Sequence, residues 1–568
     1  MEYLVLAGTL FLFVVLIMVK GYLDSIQAGK RFVQRLYEHY GEDVLREYKA
    51  GEIEEHISMY YRKHQEPWQI DEITWHDLDL DEVYKRMNYA HSSAGDEYLY
   101  YRLRTPMQTK EEIQRFERHV EHFQTNEKER VALQVQFHKL GRMRKYSLYE
   151  YLDYLELLGE RNNLKYYLSV GMVFVSIGLM FESVPVGLCV LLGVLCFNMI
   201  RYYKEQKEIE PYITSFRYIA KLIESAEKIG KQPVNEIAEE RDDLLANVKS
   251  MEQFKRNSFI VFSGSGAGPS SGDILGMFFD YVRMIFYLDL IKFNQMLRVV
   301  RSHPAEIDRM FTLIGEIETA VVTGEYRANL QGAYCIPEFV EENRGNACLC
   351  LRNMYHPLLK DPVKNDIEVK KGVLLTGSNA SGKSTFLRAV AINAILAQTL
   401  HTCMADSYRG VMFRICSSMS LQDDIESGDS YYMVEVKSIR RILENVKEAA
   451  KEGKHVLCFV DEVLRGTNTV ERIAASTQIL KALSGDHVIC FAATHDGELT
   501  RLLKAHYDNY HFEEEIAEDD IFFPYRIKSG PATSRNAIAL LKMLGYDTDL
   551  VKDAESLAER FLQSGTWE

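Results

Sequence analysis

The sequence predicts an α/β domain built on a parallel sheet at the C-terminal end, preceded by a mainly α-helical core with inserted transmembrane helices. Three patterns carry this expectation. From about Ala347, short apolar runs of strand length alternate with helix-compatible segments, as crossover-connected parallel strands require. Upstream, charge-rich segments such as Lys110 to Gln136, Pro211 to Ile229 and Met277 to Arg301 carry apolar residues at helical spacing. The same upstream part holds two regions that lack charge over spanning lengths.

The first region is Tyr3 to Val19, closed by Lys20 and lacking the basic start of a cleaved signal peptide. The second is a pair: Tyr166 to Phe181 and Val186 to Ile200, separated by Glu182-Ser183-Val184-Pro185. A proline and a carboxylate in the middle of one long buried helix are costly, so the pair reads as a membrane hairpin. Lys20, Lys30, Arg31, Arg161, Lys165, Arg201 and Lys204 flank these runs. By the positive-inside rule their ends are cytoplasmic, and the N-terminus and the Glu182 turn face outward. The expected layout is a span over 1–20, a helical cytosolic region over 21–165, the hairpin over 166–200 and a helical core over 201–345. That makes a multi-pass protein of the cell membrane with a cytoplasmic body. The glycine-rich stretch Gly264 to Gly272 has no following Gly-Lys-Ser and reads as a flexible connector.

Composition narrows the partners. The 568 residues are 47% hydrophobic and 26% charged, which excludes a disordered chain. Lysine plus arginine number 67 against 82 acids, a net charge of -15, which argues against a surface coated by nucleic acid. The local basic run His138 to Lys145 lies near the hairpin, where anionic lipid is the nearer partner and the DNA backbone the second. Nine cysteines without a C-x-x-C pair show neither a disulfide framework nor a zinc site, and fit a reducing compartment.

The chemistry sits in the C-terminal part. Val373-Leu374-Leu375-Thr376 reads as a buried strand, followed by Gly377-Ser378-Asn379-Ala380-Ser381-Gly382-Lys383-Ser384 and a helix-compatible run to Leu400. This is G-x-x-x-x-G-K-S in a strand–loop–helix context, the P-loop pattern. Its backbone amides close around phosphates, Lys383 neutralises the β/γ oxygens, and the Ser384 hydroxyl binds Mg²⁺. Downstream, Val456 to Val460 ends in Asp461-Glu462, a carboxylate for the metal and a second to polarise water. A third apolar strand, Val488 to Ala493, ends in Thr494-His495, placing an imidazole where a γ-phosphate would lie.

Taken together, Gly377 to Leu499 resembles the ATPase domain of the MutS family of mismatch-repair proteins. Asp423-Asp424-Ile425-Glu426-Ser427-Gly428-Asp429-Ser430-Tyr431-Tyr432-Met433-Val434-Glu435 is similar to that family's D-D-x-x-x-G-x-S-x-F-M-x-E. Asp461 to Thr469 resembles its D-E-x-x-R-G-T-S-T, Thr494-His495 its A-T-H, and Tyr355-His356-Pro357 the H-P that opens the domain. Ser534 to Phe561 is similar to its terminal helical dimerisation element, and Asp77 to Pro106 to the start of its helical core.

The resemblance implies an α/β P-loop NTPase domain of ABC/MutS type over 346–530 and a dimerisation element over 531–568. It further implies Mg²⁺-dependent ATP hydrolysis at composite sites of a homodimer. Ser430 of one copy would reach the γ-phosphate on the other's Gly377 to Ser384 loop, with Glu462 and His495 at the hydrolytic centre and Ser384 and Asp461 at the metal. The sequence leaves no room for the family's Phe-x-Glu mismatch reader; Phe339-Val340-Glu341 is a chance match. Asp361 to Asp366 holds no aromatic to stack on adenine. The expected function is a membrane-anchored MutS-like ATPase switching a helical core, with lipid, DNA or an unidentified protein as partner. Two alternatives are a repair ATPase acting on duplex DNA and an ABC-type transport ATPase. For the latter, Ser427-Gly428-Asp429-Ser430 is a poor signature.

Overall fold

The computed structural model describes all residues except 1, 45, 144–145, 263–280, 341–346, 379–380, 420–430, 465–466, 518–519, 533–537, 539–540, 542–544 and 565–568. The described chain forms two units, one of Met1–Gln65, Asn88–Tyr101 and Arg115–Asn329, the other of Glu66–Met87, Arg102–Gln114 and Leu330–Glu568.

Among its described residues the first unit contains helices and no strand. Its longest helix, Val184–Gly230, has 47 residues and at 1.5 Å per residue extends about 70 Å. Pro185 lies in its first turn, where the missing N–H costs no intrahelical bond. The C-terminal half buries Phe216, Ile219, Leu222, Ile223, Ala226 and Ile229, a stripe at three- and four-residue spacing. The N-terminal half pairs with Leu164–Glu182 across the turn at Ser183. Gly187 permits this close return, because a Cβ there would lie 2.5 Å from the backbone nitrogen of Met180. Both helices are long and apolar enough to cross a membrane by length and composition. The first apolar run falls within the helix Glu2–Glu38, which continues past Lys20; its side chains up to residue 15 lie outside the described set.

Three expected segments differ in detail. Lys110 to Gln136 is two helices, Lys110–Thr125 and Glu127–Leu140. Asn126 ends the first by donating from Nδ2 to the His122 carbonyl at 3.0 Å. Met277 to Arg301 is also broken. Tyr287 takes a left-handed φ of 52° before the helix Leu288–Ser302, so that its ring stacks on Tyr166 and its hydroxyl donates to the Asn198 carbonyl. Finally, within the basic run Arg142 donates to Asp96 at 3.0 Å, while Arg144 and Lys145 lie outside the described residues. Gly264 to Gly272 lies outside the described residues.

The second unit has a six-stranded sheet in the order β12-β9-β4-β8-β7-β6. These strands are β4 (Gly372–Thr376), β6 (Phe413–Ser418), β7 (His455–Asp461), β8 (Val488–Ala493), β9 (Tyr507–His511) and β12 (Lys528–Ser529). All neighbours run parallel except the antiparallel edge strand β12. The sheet is thus mixed rather than purely parallel. Val456, Cys458 and Val460 pack with Ile439, Ile442 and Leu480 of the helices Tyr431–Glu452 and Thr469–Ala482. The alternate residues Leu457 and Phe459 are equally buried and point to the opposite face. A second sheet, β1-β5-β2-β3, comprises Glu338–Phe339, Ser407–Gly410, Leu349–Met354 and Asn365–Val369.

The segment 66–87 belongs to this unit through buried polar bonds. Asp77, 2% exposed, accepts from Ser417 Oγ at 2.6 Å and Met419 N at 2.9 Å, while Thr74 Oγ1 accepts from Ser417 N at 3.0 Å. Arg441 donates to Asp71 and to the Ser417 carbonyl. Replacing Asp77 by Ala orphans two donors and is expected to destabilise the second unit by about 2–4 kcal/mol. Denaturant titration followed by tryptophan fluorescence measures it, because Trp75 is buried in the same segment.

Candidate functional site

The site begins where β4 ends. Val373, Leu374 and Leu375 are fully buried between β8 and β9, so the chain leaves the sheet at a fixed point. Gly377 and Gly382 turn the following loop with φ of 146° and 102°; a Cβ at Gly377 would lie 2.7 Å from the Phe512 carbonyl oxygen. The helix Lys383–Thr399 then starts with its free backbone amides toward the loop. Lys383 Nζ donates to the carbonyls of Gly377 and Ser378 at 2.9 and 2.8 Å and lies 3.5 Å from His495 Nε2. Ser378 Oγ donates to Glu514 at 3.0 Å. Among the described residues the buried Ser381 hydroxyl has no partner. Asn379 and Ala380 lie outside the described residues.

Two neighbouring strands supply the opposite wall. Asp461 at the end of β7 is level with Ala493 at the end of β8. Its Oδ2 accepts from Ser384 Oγ at 2.5 Å. Glu462 leaves the strand in a left-handed conformation, φ 59°, with its N–H on the Ala493 carbonyl at 3.0 Å. Its carboxylate lies 2.9 Å from His495 Nε2. Two residues on, Leu464 is also left-handed, and its N–H is held by the buried Glu435 carboxylate. The structure therefore gathers Gly377, Ser378, Ser381, Gly382, Lys383, Ser384, Asp461, Glu462 and His495, whereas Ser430 lies outside the described residues.

These groups open on a cavity of about 480 Å³ whose remaining wall includes Tyr355, His356, Val363, Phe512 and Tyr525. Tyr525 escapes a sequence reading. Its ring lies 3.0 Å from where a Gly382 Cβ would be, and its backbone is left-handed at φ 52°. Asn365 holds it there, donating to the Tyr525 carbonyl at 3.0 Å and accepting from Ile527 N at 2.8 Å. Glu514 carries no readable pattern of spacing either, whereas Glu435 closes the segment Asp423 to Glu435 that the sequence singles out.

Loop amides, a lysine and an unpartnered buried hydroxyl suit a polyanion. Among the described residues no group of three or more His, Cys, Asp or Glu side chains can hold a metal ion. A hard cation here would rest on Ser384 and Asp461 and complete its shell from an anion and water, as Mg²⁺ commonly does.

A glycine-turned anion loop facing strand-end carboxylates belongs to a domain of the ATPase type, and residues 373–562 match the family described as MutS domain V. Over this part the chain is similar to proteins of the MutS family. It is 31% identical over 252 residues to the DNA mismatch repair protein MutS of Parasynechococcus marenigrum, covering 42% of this chain and 27% of that protein. With the Thermus thermophilus protein of the same name it shares 32% identity over 229 residues, 39% and 27% of the two chains. With that of Lactobacillus delbrueckii subsp. bulgaricus it shares 28% over 290 residues, 49% and 32%. The match thus spans between about a quarter and a third of the length of these relatives.

Burial, and secondly the Arg388 guanidinium, push His356 down to about 4. Its neutral Nδ1 accepts from Leu358 N at 3.2 Å. Unfolded histidine titrates near 6.5, so below that pH the unfolded chain takes up the proton first. This contribution is present above about pH 6.5 and is lost as pH falls toward 4. Denaturation midpoints between pH 7.5 and 5 should therefore fall less steeply for His356→Asn than for the parent.

Proposed function

We propose that the chain is a membrane-anchored MutS-type ATPase, with a P-loop site that binds ATP with Mg²⁺ and hydrolyses it between two copies of the polypeptide. The observation that carries this is the convergence of Lys383, Ser384 and the orphaned Ser381 hydroxyl on Asp461, Glu462 and His495 in one cavity. In this reading Lys383 exchanges its bonds to the Gly377 and Ser378 carbonyls for phosphate oxygens. Mg²⁺ held by Ser384 and Asp461 supplies charge neutralisation on the transferring phosphoryl group. Glu462 orients the attacking water and accepts its proton, and His495 fixes the direction of that carboxylate. The rings of Tyr355 and Tyr525 give the cavity an aromatic wall for the base. Ser430, by family resemblance, acts on the nucleotide of the second copy. The helix Thr548–Ser564 supports pairing, because Leu550 and Leu557 are exposed on it seven residues apart, two turns along one face.

Membrane anchoring rests on the hairpin Leu164–Glu182 and Val184–Gly230. Phe174, Phe181, Leu192 and Ile200 are among many large apolar side chains left exposed there, more than a water-facing surface carries without a partner. The expected layout is a hairpin in the cell membrane with the ATPase domain in the cytoplasm. A second reading, action on duplex DNA, is favoured by the name its relatives share.

Lys383→Ala is expected to abolish nucleotide binding. Glu462→Gln should keep binding, lower turnover at least about 10²-fold, and accumulate a closed dimer. Turnover at the parental rate in Glu462→Gln rejects the assignment of the base. Retention of duplex DNA in a salt-resisted mobility shift would shift weight to the second reading.

The exposed Cys189 and Cys196 lie on the second hairpin helix and test anchoring directly. In vesicles both are expected to resist a polar maleimide and to react once detergent is added. Equal labelling before and after detergent, or a chain that stays in solution without it, removes the membrane from the account.

A further inference from the structure

Cys335 and Cys403 are remote in sequence yet face each other across an isolated antiparallel bridge. The N–H of each donates to the carbonyl of the other, at 2.9 and 3.0 Å. Such a doubly bonded pair holds its Cα atoms about 5.5 Å apart. That falls within the roughly 4.4–6.8 Å over which two cysteines join without backbone movement. Cys335 is half-buried and Cys403 fully buried. The remaining internal row, Cys416, Cys458 and Cys490, is level across β6, β7 and β8 but sealed inside the sheet. There burial pushes the Cys416 thiol up to about 12 and leaves it inert.

We propose that Cys335 and Cys403 form an oxidisable dithiol site whose substrate is a low-molecular-weight disulfide. The Cys335 thiolate attacks one sulfur of the disulfide, forming a mixed disulfide and releasing one thiolate. The Cys403 thiol loses its proton and attacks the Cys335 sulfur, expelling the second. One intramolecular disulfide forms, two electrons pass to the reagent, and the two cysteine protons end on its two thiols. The hydrogen bond with Cys403 holds the Cys335 thiol below its ordinary range, which raises its thiolate fraction and makes it the attacking group.

The position gives the bond a consequence. Tyr355 in the cavity wall donates from its hydroxyl to the Ala333 carbonyl at 2.5 Å and from its N–H to the Met404 carbonyl at 2.9 Å. A Cys335–Cys403 bond fastens together the two strands that hold this ring. In a reducing compartment such a bond is a transient, regulatory one.

The test treats the full chain in detergent with oxidised glutathione and maps peptides by mass spectrometry with and without reductant. The parent is expected to give a reducible Cys335–Cys403 peptide, separate from any glutathione adducts on the exposed Cys189 and Cys196. Cys403→Ala should stop at the glutathione adduct on Cys335. Cys335→Ser, a change at a half-buried position, should leave Cys403 unmodified. An unreactive Cys335, a bond from Cys335 to another cysteine, or a parent that stops at the adduct each overturns the proposal.

Discussion

Parallel register is the constraint on which the site depends. Leu375 is level with Ala493, and Asp461 is level with Ala493 on the other side, so β4, β8 and β7 end together. Everything emitted from those three ends must share one edge of the sheet, where open parallel sheets characteristically place ligands. The loop 377–384, the pair Asp461-Glu462 and the pair Thr494-His495 converge for that reason alone. The Ser384–Asp461 hydrogen bond is then the closure between two strand ends already brought level. A one-residue slip of β7 would send Asp461 to the opposite face and separate hydroxyl from carboxylate.

Around this edge the backbone is held in conformations that side chains disfavour. Glu462, Leu464 and Tyr525 all have positive φ. Each has a stated restraint: the Ala493 carbonyl on the Glu462 N–H, Glu435 on the Leu464 N–H, and Asn365 on both sides of Tyr525. Such conformations cost of order 1–3 kcal/mol each and persist where surrounding bonds over-determine them. Glu462 and Tyr525 both line the cavity, which is independent support for a site there.

What could be read from the sequence follows from how local each signal is. The loop Gly377 to Ser384 is contiguous, and apolar runs mark the strands before Asp461 and His495, so topology alone could be inferred to unite them. The hairpin was legible because absence of charge and Pro185 are also local. Tyr525, Glu514 and Asn365 were not, since each acts through a partner more than a hundred positions away and no spacing rule links them. Asp77 looked like one acid among several in a charge-rich stretch, yet it is buried on the end of β6. The breaks at Asn126 and Tyr287 escaped for a related reason. Periodicity continues through both, and what interrupts the helix is a side-chain cap in one case and an aromatic stack in the other. Cys335 and Cys403 show no motif because their relation is created by a bridge.

The hairpin helix carries a final physical argument. Val184–Gly230 passes from an exposed apolar half to a buried one without a break in helix. At the boundary Glu205 gathers Lys165, Arg161 and Arg201 and accepts from the Tyr166 hydroxyl at 2.6 Å. That cluster sets Glu205, with Glu208 on Arg161, against three basic residues at the foot of the hairpin and ties one helix to the other. Beyond it the only residue unable to donate its backbone N–H is Pro211, the place where a helix bends at least cost. In the proposed reading a tilt imposed on the hairpin is therefore divided between bending at Pro211 and displacement of the stripe Phe216 to Ile229. Because that stripe is close-packed, it resists small strains and yields in discrete steps. In that same reading the helix links the hairpin to the helical core through packing, with no flexible joint needed between them.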